Sequence, residues 1–195
     1  MSPTASAAVL ALVGVGVLVA MWTGWRHRTA RSAEVVPDLP PAPAAGDPAL
    51  GAALSAAIDA TYVSTTTAND WLDRVAAHGL GARSAAVVRV FDAGVLIERT
   101  GAPDLYVPAA AVRGAGTAPG IAGKVVGGDG LFVLTWQAPA VGATPGALLT
   151  TGLRLRHAAD RHQLIEAAGA LAGGPEPTDG TTRAEDLGTR NEGAQ

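Results

Sequence analysis

The sequence predicts a mainly β fold, a barrel or sandwich with a C-terminal helix, preceded by an N-terminal transmembrane helix. Three patterns indicate this: an uncharged apolar start, a series of short runs rich in β-branched residues, and one late apolar stripe at helical spacing. They divide the chain into a membrane span over 5–25, a linker over 26–47, a domain over 48–172 and an acidic tail over 173–195.

The first stretch, 2–25, carries no charged side chain and is long enough to cross a bilayer as a helix. Trp22 and Trp25 mark its end, and Arg26 and Arg28 follow directly. Because aromatic rings favour the membrane interface and arginines favour the cytoplasmic side, we expect an uncleaved single-pass anchor in the cell membrane. Its N-terminus would lie outside and the C-terminal domain in the cytoplasm. The alternative is a cleaved signal peptide, which would need a positively charged start that the sequence lacks.

Small residues recur every four positions along this span, at Gly16, Ala20 and Gly24. Residues at that spacing share one helix face and let two helices approach closely, so the pattern predicts a helix–helix contact and a homodimer. The alternative is that the spacing reflects composition, since the chain contains 25 glycines.

The linker over 26–47 is rich in alanine and proline. Pro37, Pro40, Pro41 and Pro43 favour an extended, polyproline-like backbone. We therefore expect a semi-rigid stalk that holds the domain away from the membrane. The PxxP pattern from Pro37 to Pro40 also permits a recognition ligand as the alternative.

Two short helices are predicted at the start of the domain. Asp47 and Pro48 suit the N-cap and first position of a helix whose apolar spacing runs through Leu50, Leu54 and Ile58. A β-branched strand follows at 62–67. Asn69 or Asp70 then caps the second helix, which ends at Gly79 and turns three apolar side chains inward: Trp71, Leu72 and Val75.

A hairpin gives the clearest β signal, with strands at 85–91 and 95–99 around Asp92–Gly94. Alternation predicts one apolar face formed by Val88, Val90, Val95 and Ile97. It leaves Arg89, Glu98 and Arg99 available to solvent. Further strands are predicted at 105–107, from 112, at 121–126, at 131–137 and at 147–156, with a glycine-rich loop starting at 114.

An amphipathic helix over 157–171 is expected to close the domain, with Asp160 as its N-cap. Its apolar stripe comprises Leu164, Ile165, Ala168 and Leu171. Beyond it, the tail has almost no apolar residues and many acidic ones, so it is predicted to be disordered.

No residue pattern predicts catalysis, a cofactor or a metal. Ala118 and Val125 occupy positions where a phosphate-binding loop needs glycine and a hydroxyl, and Pro119 breaks a dinucleotide fingerprint. Cysteine is absent, and the four histidines show no ligand spacing: His27, His78, His157 and His162. We therefore expect that the protein is not an enzyme and uses no cofactor.

Charge excludes further classes of partner. The net charge of −3 argues against nucleic acid, whose binding requires neutralised phosphates. Residues 49–172 carry nine basic and nine acidic side chains, a poor composition for trapping an anionic lipid headgroup.

The order of about seven antiparallel strands and one terminal helix is that of a pleckstrin-homology-like (PH-like) barrel. The sequences of four stretches resemble those of one family: TYVSTTTANDWLDRVAAHGLGARS at 61–84, RTGAPDLYVPAAAVRGA at 99–115, AGKVVGGDGLFVLTW at 122–136 and LRLRHAADRHQLIEA at 153–167. It consists of small actinobacterial single-pass membrane proteins with a PH-like domain, often labelled export, membrane or transporter proteins and encoded among pyrimidine-biosynthesis genes. The resemblance implies a PH-like fold and carries no established activity.

The expected function is that of a membrane-anchored cytoplasmic interaction module, a scaffold or adaptor that binds another protein. Two alternatives stay open: a module that binds lipid headgroups at the inner membrane face, and an accessory subunit of a transport or export system. A single span cannot by itself enclose a translocation path.

Overall fold

The computed structural model describes residues 10, 12–24, 36–125, 130–140 and 142–172. A helix, α1, occupies 12–24. Among the described residues, no helix has the length and apolar character needed to cross a membrane. Of the span predicted over 5–25, the structure describes residues 10 and 12–24. The predicted span and linker lie partly outside the described residues, and the tail over 173–195 lies wholly outside them.

The barrel follows as a series of short strands. Their bounds are β1 Ile58–Thr67, β2 Asp70–Arg74, β3 Ser84–Phe91, β4 Gly94–Arg99, β5 Leu105–Pro108, β6 Val112–Ala118, β7 Gly120–Ile121, β8 Lys124–Val125, β9 Leu131–Gln137 and β10 Leu148–Leu155. The closing helix, α2, runs over Asp160–Ala172. Three-residue 3-10 turns occur at Pro48–Leu50, Ala77–Gly79 and Ala109–Ala111.

The sheet is antiparallel, with strand order β5-β4-β3-β1-β10-β9-β6, and β2 pairs with the end of β1. β5 and β6 form opposite ends of this path, yet only Ala109–Ala111 separates them in sequence. The sheet must therefore curl until its two ends meet. α2 packs mainly on β6 and also contacts β3, β4 and β9. The predicted mainly β fold with a C-terminal helix is confirmed.

The inward faces agree with the predicted alternation. Val88, Val90, Val95 and Ile97 are completely buried in one core. The same core contains Phe132, Leu134 and Trp136 from β9, and Leu164 and Ala168 from α2. Ile165 and Leu171 are partly buried against it, so the predicted helix stripe is also confirmed.

The two predicted short helices differ from the structure. Asp47 does cap a turn, because its Oδ1 accepts a hydrogen bond from the Ala49 amide at 2.9 Å, but the turn ends at Leu50. The second prediction is wrong, since Asp70–Arg74 forms β2 and leaves Trp71 52% and Leu72 58% exposed. The free edge of β1 decides this conformation, because pairing with β1 gives the backbone of β2 long-range hydrogen-bond partners.

The glycine-rich stretch also differs. Residues 114–118 were expected in a loop but pair along β9 as part of β6. Instead of one strand over 121–126, a small β7–β8 hairpin turns at Ala122 and Gly123, which have φ values of 53° and 73°. Backbone pairing with the strongly β sequence of β9 outweighs the low strand propensity of glycine.

Part of the predicted stalk packs on the barrel. We call residues 36–45 the strap. Val36 is completely buried in the main core and Leu39 packs against it, while Ala42 and Ala45 pack near Leu50. His78 Nε2 lies 3.0 Å from the Val36 carbonyl oxygen. From Val36 onward, the linker is therefore bound to the domain rather than standing clear of it.

Candidate functional site

Two apolar clusters cover parts of the outer face of the sheet. At one end, Leu50 packs over Phe91 and Leu96. At the other end, Ile121 of the β7–β8 hairpin packs with Val63 and Leu131. The contact at Ile121 is close, because a Cβ added to Gly152 would lie 2.9 Å from Ile121 Cγ2. Both ends of the outer face are thus covered by the chain itself.

Between these clusters lies an open concavity of about 1010 Å³, which we call the charged trough. Its floor consists of small or medium side chains on the two middle strands: Thr61, Ala85 and Val87. Its charged side chains are four arginines and three carboxylates: Arg83, Arg89, Arg154, Arg156, Asp59, Glu98 and Asp104. The mostly buried Arg99 also contributes to the lining.

Strand register explains this composition. Thr61 on β1 lies between Arg154 on β10 and Ala85 on β3. Two residues earlier on β1, Asp59 is opposite Val87. The Asp59 carbonyl oxygen accepts a hydrogen bond from the Arg156 amide at 2.9 Å. Long cationic side chains therefore stand on one side of a floor whose own side chains are short.

Some charged side chains of the trough have an oppositely charged partner and others do not. Arg89 donates to Glu98 in a half-exposed ion pair. Arg156 lies 3.7 Å from Asp59, but their side chains are 71% and 61% exposed, so this contact contributes little. Arg83 and Arg154 are exposed and have no ion pair or hydrogen bond with any described residue. The charges that remain available to a ligand are mainly positive.

Arg99 was expected at the surface and is instead 6% exposed. The reason lies in the alternation of β4, because Arg99 faces Ala86 and shares the inward side of Val95 and Ile97. Its guanidinium group donates to the carbonyl oxygens of Gly79 at 3.0 Å and Ala82 at 2.6 Å. Burial lowers the pKa of Arg99, and electrostatic interactions with Tyr62 and Asp104 oppose this effect.

Arg99 makes further contacts that hold the adjoining loops. It donates to Ser84 Oγ at 3.1 Å and to the Pro103 carbonyl oxygen at 3.3 Å. Its own backbone amide donates to Asp104 Oδ1 at 2.6 Å. That carboxylate is therefore partly satisfied by the backbone, and Arg99 acts as a structural clamp between loops beside the trough.

A chain of hydrogen bonds crosses the core beneath this region. Trp136 Nε1 donates to Thr151 Oγ1 at 2.9 Å, and Thr151 Oγ1 lies 2.7 Å from Thr65 Oγ1. Thr65 is 2.5 Å from the Tyr62 hydroxyl, which donates to the Leu80 carbonyl oxygen at 2.9 Å. Because the indole can only donate and the carbonyl can only accept, all three hydroxyl protons point from Trp136 towards Leu80.

This chain of hydroxyls is structural in character. Tyr62, Thr65 and Thr151 have no exposed surface. Burial raises the pKa of Tyr62 to about 12, although the hydrogen bond with Thr65 and the charge of Arg99 oppose the shift. The phenol is therefore protonated at neutral pH and is neither a general base nor an accessible nucleophile.

The residues predicted from the membrane span are only partly described. Trp22 lies on α1 and is 57% exposed, whereas Trp25, Arg26 and Arg28 lie outside the described residues. Gly16, Ala20 and Gly24 are exposed on α1. A Cβ added at either glycine meets no atom within 4 Å, so no described part of the chain covers this helix face.

The histidines do not come together in the described part of the chain. His78 contacts the strap, while His157 and His162 are exposed. His27 lies outside the described residues. No group of three metal-ligating side chains occurs in the ranges that the structure describes.

Sequence reasoning missed the trough as a unit, because its residues come from four strands and from the loops that adjoin them. In an extended chain, alternation alone would have placed Arg83 on the same side as Arg89, and Arg154 on the same side as Arg156. The order of the strands was needed to bring these two pairs together across β1.

Comparison with known proteins agrees with this architecture. The family described as Bacterial PH domain-like matches the chain over residues 36–169. The matched range begins at the first residue of the strap and ends within α2. No curated protein matches the chain.

Proposed function

The chain belongs to the bacterial PH domain-like family, and from this premise we propose that it is a membrane-anchored adaptor whose barrel binds a protein partner at the cytoplasmic face. The observation that carries the proposal is the charged trough, an open surface between two covered ends of the sheet. Its size and mixed charge suit a protein surface. Nothing in the proposal requires a cofactor or a catalytic step.

The chemistry of the described groups favours binding over catalysis. The hydroxyls that lie closest together, those of Tyr62, Thr65 and Thr151, are enclosed in the core and bonded to one another. The trough itself offers arginines, carboxylates and threonine hydroxyls. Within the described residues, no histidine lines it. Such a surface can form ion pairs and hydrogen bonds but lacks a group poised near neutral pH for proton transfer.

Membrane anchoring is the second part of the proposal, and the sequence supports it. Residues 2–25 are uncharged, and Arg26 and Arg28 follow on the side we assign to the cytoplasm. The large apolar side chains described on α1 are more than half exposed: Leu12, Val13, Val15, Val17, Leu18, Val19, Met21 and Trp22. A hydrocarbon environment would cover them. The α1 face that bears Gly16, Ala20 and Gly24 could then pack against the same face of a second copy of the chain.

The acidic residues of the trough argue against a function in binding lipid headgroups. Asp59, Glu98 and Asp104 line the same concavity as the arginines. A bilayer rich in anionic lipid presents negative charge over its whole surface. It would attract the arginines but would also repel these carboxylates. A protein partner can place its charges selectively.

The proposal is tested by photocrosslinking in the native membrane. A photoreactive amino acid replaces Ala85 on the trough floor of the full chain, and a matched variant carries it at Thr117, an exposed position on β6. We expect a discrete protein adduct from position 85 and much less of it from position 117. Equal adducts from both positions, or crosslinks to lipid alone from position 85, would contradict an adaptor that uses this surface.

A further inference from the structure

The charged trough has a cationic surplus at defined positions. Arg83 and Arg154 have no partner among the described residues, whereas Glu98 is engaged by Arg89 and Asp104 accepts the Arg99 amide. Among the described residues, the Asp59 carboxylate has the long contact with Arg156 and no closer partner. A ligand that enters the trough therefore meets unpaired cations first, so its complementary groups are anionic.

The spacing of these cations follows the strands. Arg154 lies on β10, and Arg156 follows directly after its end, where its amide still donates to the Asp59 carbonyl oxygen. Both are exposed, and alternate residues of an extended chain lie about 6.8 Å apart. An extended peptide repeats its side chains on one face at the same interval. Two carboxylates at alternate positions of an extended segment would thus meet the two arginines in register.

The floor and ends set the shape of the occupant. Thr61 and Ala85 are small, so a peptide backbone can approach the centre of the sheet. From Arg83, which directly precedes β3, to Arg89 on that strand, the trough extends roughly 20 Å before the Leu50 and Ile121 clusters cover the sheet. That length accommodates about six extended residues.

We infer that the trough binds an extended acidic segment of a protein partner, with carboxylates at alternate positions beside Arg154 and Arg156 and a further contact from Arg83. This inference rests on the proposed adaptor function and names the chemistry of the partner. Alternate spacing lets the segment avoid Asp59 and Glu98, which a uniformly anionic surface cannot do.

Binding is measured by fluorescence anisotropy with the full chain in neutral detergent. Two labelled, end-blocked hexapeptides of equal charge are compared, Glu-Ala-Glu-Ala-Glu-Ala and Glu-Glu-Glu-Ala-Ala-Ala. We expect the alternating peptide to bind at least about threefold more tightly, and its affinity to fall as salt is raised. Equal binding of both peptides would overturn the register argument.

Matched variants locate the binding site. R154Q should weaken binding of the alternating peptide about three- to tenfold, and R83Q together with R154Q should weaken it further. R113Q removes the same charge from exposed β6 and should leave binding unchanged. D59N should strengthen binding, because it releases Arg156 from its competing carboxylate. Equal losses in R154Q and R113Q would overturn the assignment to the trough.

Other occupants are separated by two further measurements. Arginine-dependent binding to vesicles containing anionic phospholipid, tighter than binding to the peptide, would overturn the proposal in favour of a membrane surface. Peptide binding that appears only after removal of 173–195 would identify the acidic C-terminal segment as the occupant and would also overturn it. A protein adduct at position 85 without peptide selectivity refutes this inference while leaving the adaptor function standing.

Discussion

The guanidinium carbon of Arg99 lies 3.8 Å from the centre of the Tyr62 ring, joining a buried cation to a buried aromatic face. The two residues belong to β4 and β1, which β3 separates in the sheet. Arg99 also binds carbonyl oxygens of the loops on either side. This contact ties the loops beside the trough to the centre of the barrel.

We expect Arg99→Ala to lower the free energy of unfolding by about 3 kcal/mol or more, because the Gly79 and Ala82 carbonyl oxygens lose their charged donor and Tyr62 loses its cation. Arg89→Ala is the control, since its half-exposed pair with Glu98 should contribute about 1 kcal/mol or less. Urea denaturation followed by tryptophan fluorescence measures both. Similar midpoints for the two variants would show that Arg99 is not a structural clamp.

Thr151→Val should cost about 1–3 kcal/mol of stability although the side-chain shape is preserved, because the Trp136 indole N–H loses its buried acceptor. The neighbouring Thr150 is partly exposed, so Thr150→Val should have a small effect. Thermal unfolding with near-ultraviolet circular dichroism compares them. A Thr151→Val protein as stable as Thr150→Val would argue against the continuous chain of hydrogen bonds.

The two tyrosines should titrate differently. The pKa of Tyr62 is raised to about 12 by burial, and partial burial also raises the pKa of Tyr106. The native Tyr62 phenol holds its proton while the unfolded phenol loses it from about pH 10. Its contribution to stability is therefore complete below about pH 10 and falls as the pH rises towards 12, by at most about 3 kcal/mol.

Absorbance at the phenolate band during alkaline titration measures this difference. Tyr106→Phe leaves Tyr62 as the only phenol, because the chain has two tyrosines. We expect its absorbance change near pH 12 or at alkaline unfolding, whichever comes first. A reversible titration of the folded variant at pH 10 would mean that the Tyr62 hydroxyl is open to solvent.

Val36→Ala should destabilise the domain by about 2 kcal/mol, because the side chain is completely buried in the main core. Asp38→Ala, two residues along the strap and exposed, is the control. A chain that starts at Asp47 should unfold at lower urea than one that starts at Val36. Indistinguishable unfolding of these two truncated chains would restore the view of residues 36–45 as a free stalk.

The proposed orientation predicts that a reporter fused after Gln195 stays in the cytoplasm, because the arginines follow the apolar stretch. Fluorescent protein at that position should fluoresce, and alkaline phosphatase there should be inactive. The N-terminus of the isolated protein should still include Met1 or Ser2. Phosphatase activity would reverse the orientation, and a new N-terminus beyond Trp25 would indicate a cleaved signal peptide.

Local sequence patterns were sufficient to predict an element where the alternation of apolar side chains matches their burial. The hairpin at Asp92–Gly94, the strand at 131–137 and the apolar stripe of α2 were all predicted correctly. The prediction failed where a partner strand decided the conformation. β2 became a strand because β1 extends past β3, and glycine-rich β6 became a strand because β9 lies beside it.

By itself, the sequence determined the fold class, the inward residues of the main strands and the closing helix, because periodicity reports which side of an element is apolar. Only the tertiary structure decided that Val36 completes the core, that Arg99 is a buried clamp, and that Arg83 and Arg154 share one trough. These depend on how distant parts of the chain pack together; Arg83 and Arg154, for example, are more than 70 positions apart in the sequence. Local periodicity contains no information about such pairings, because the free energy of each contact depends on both partners.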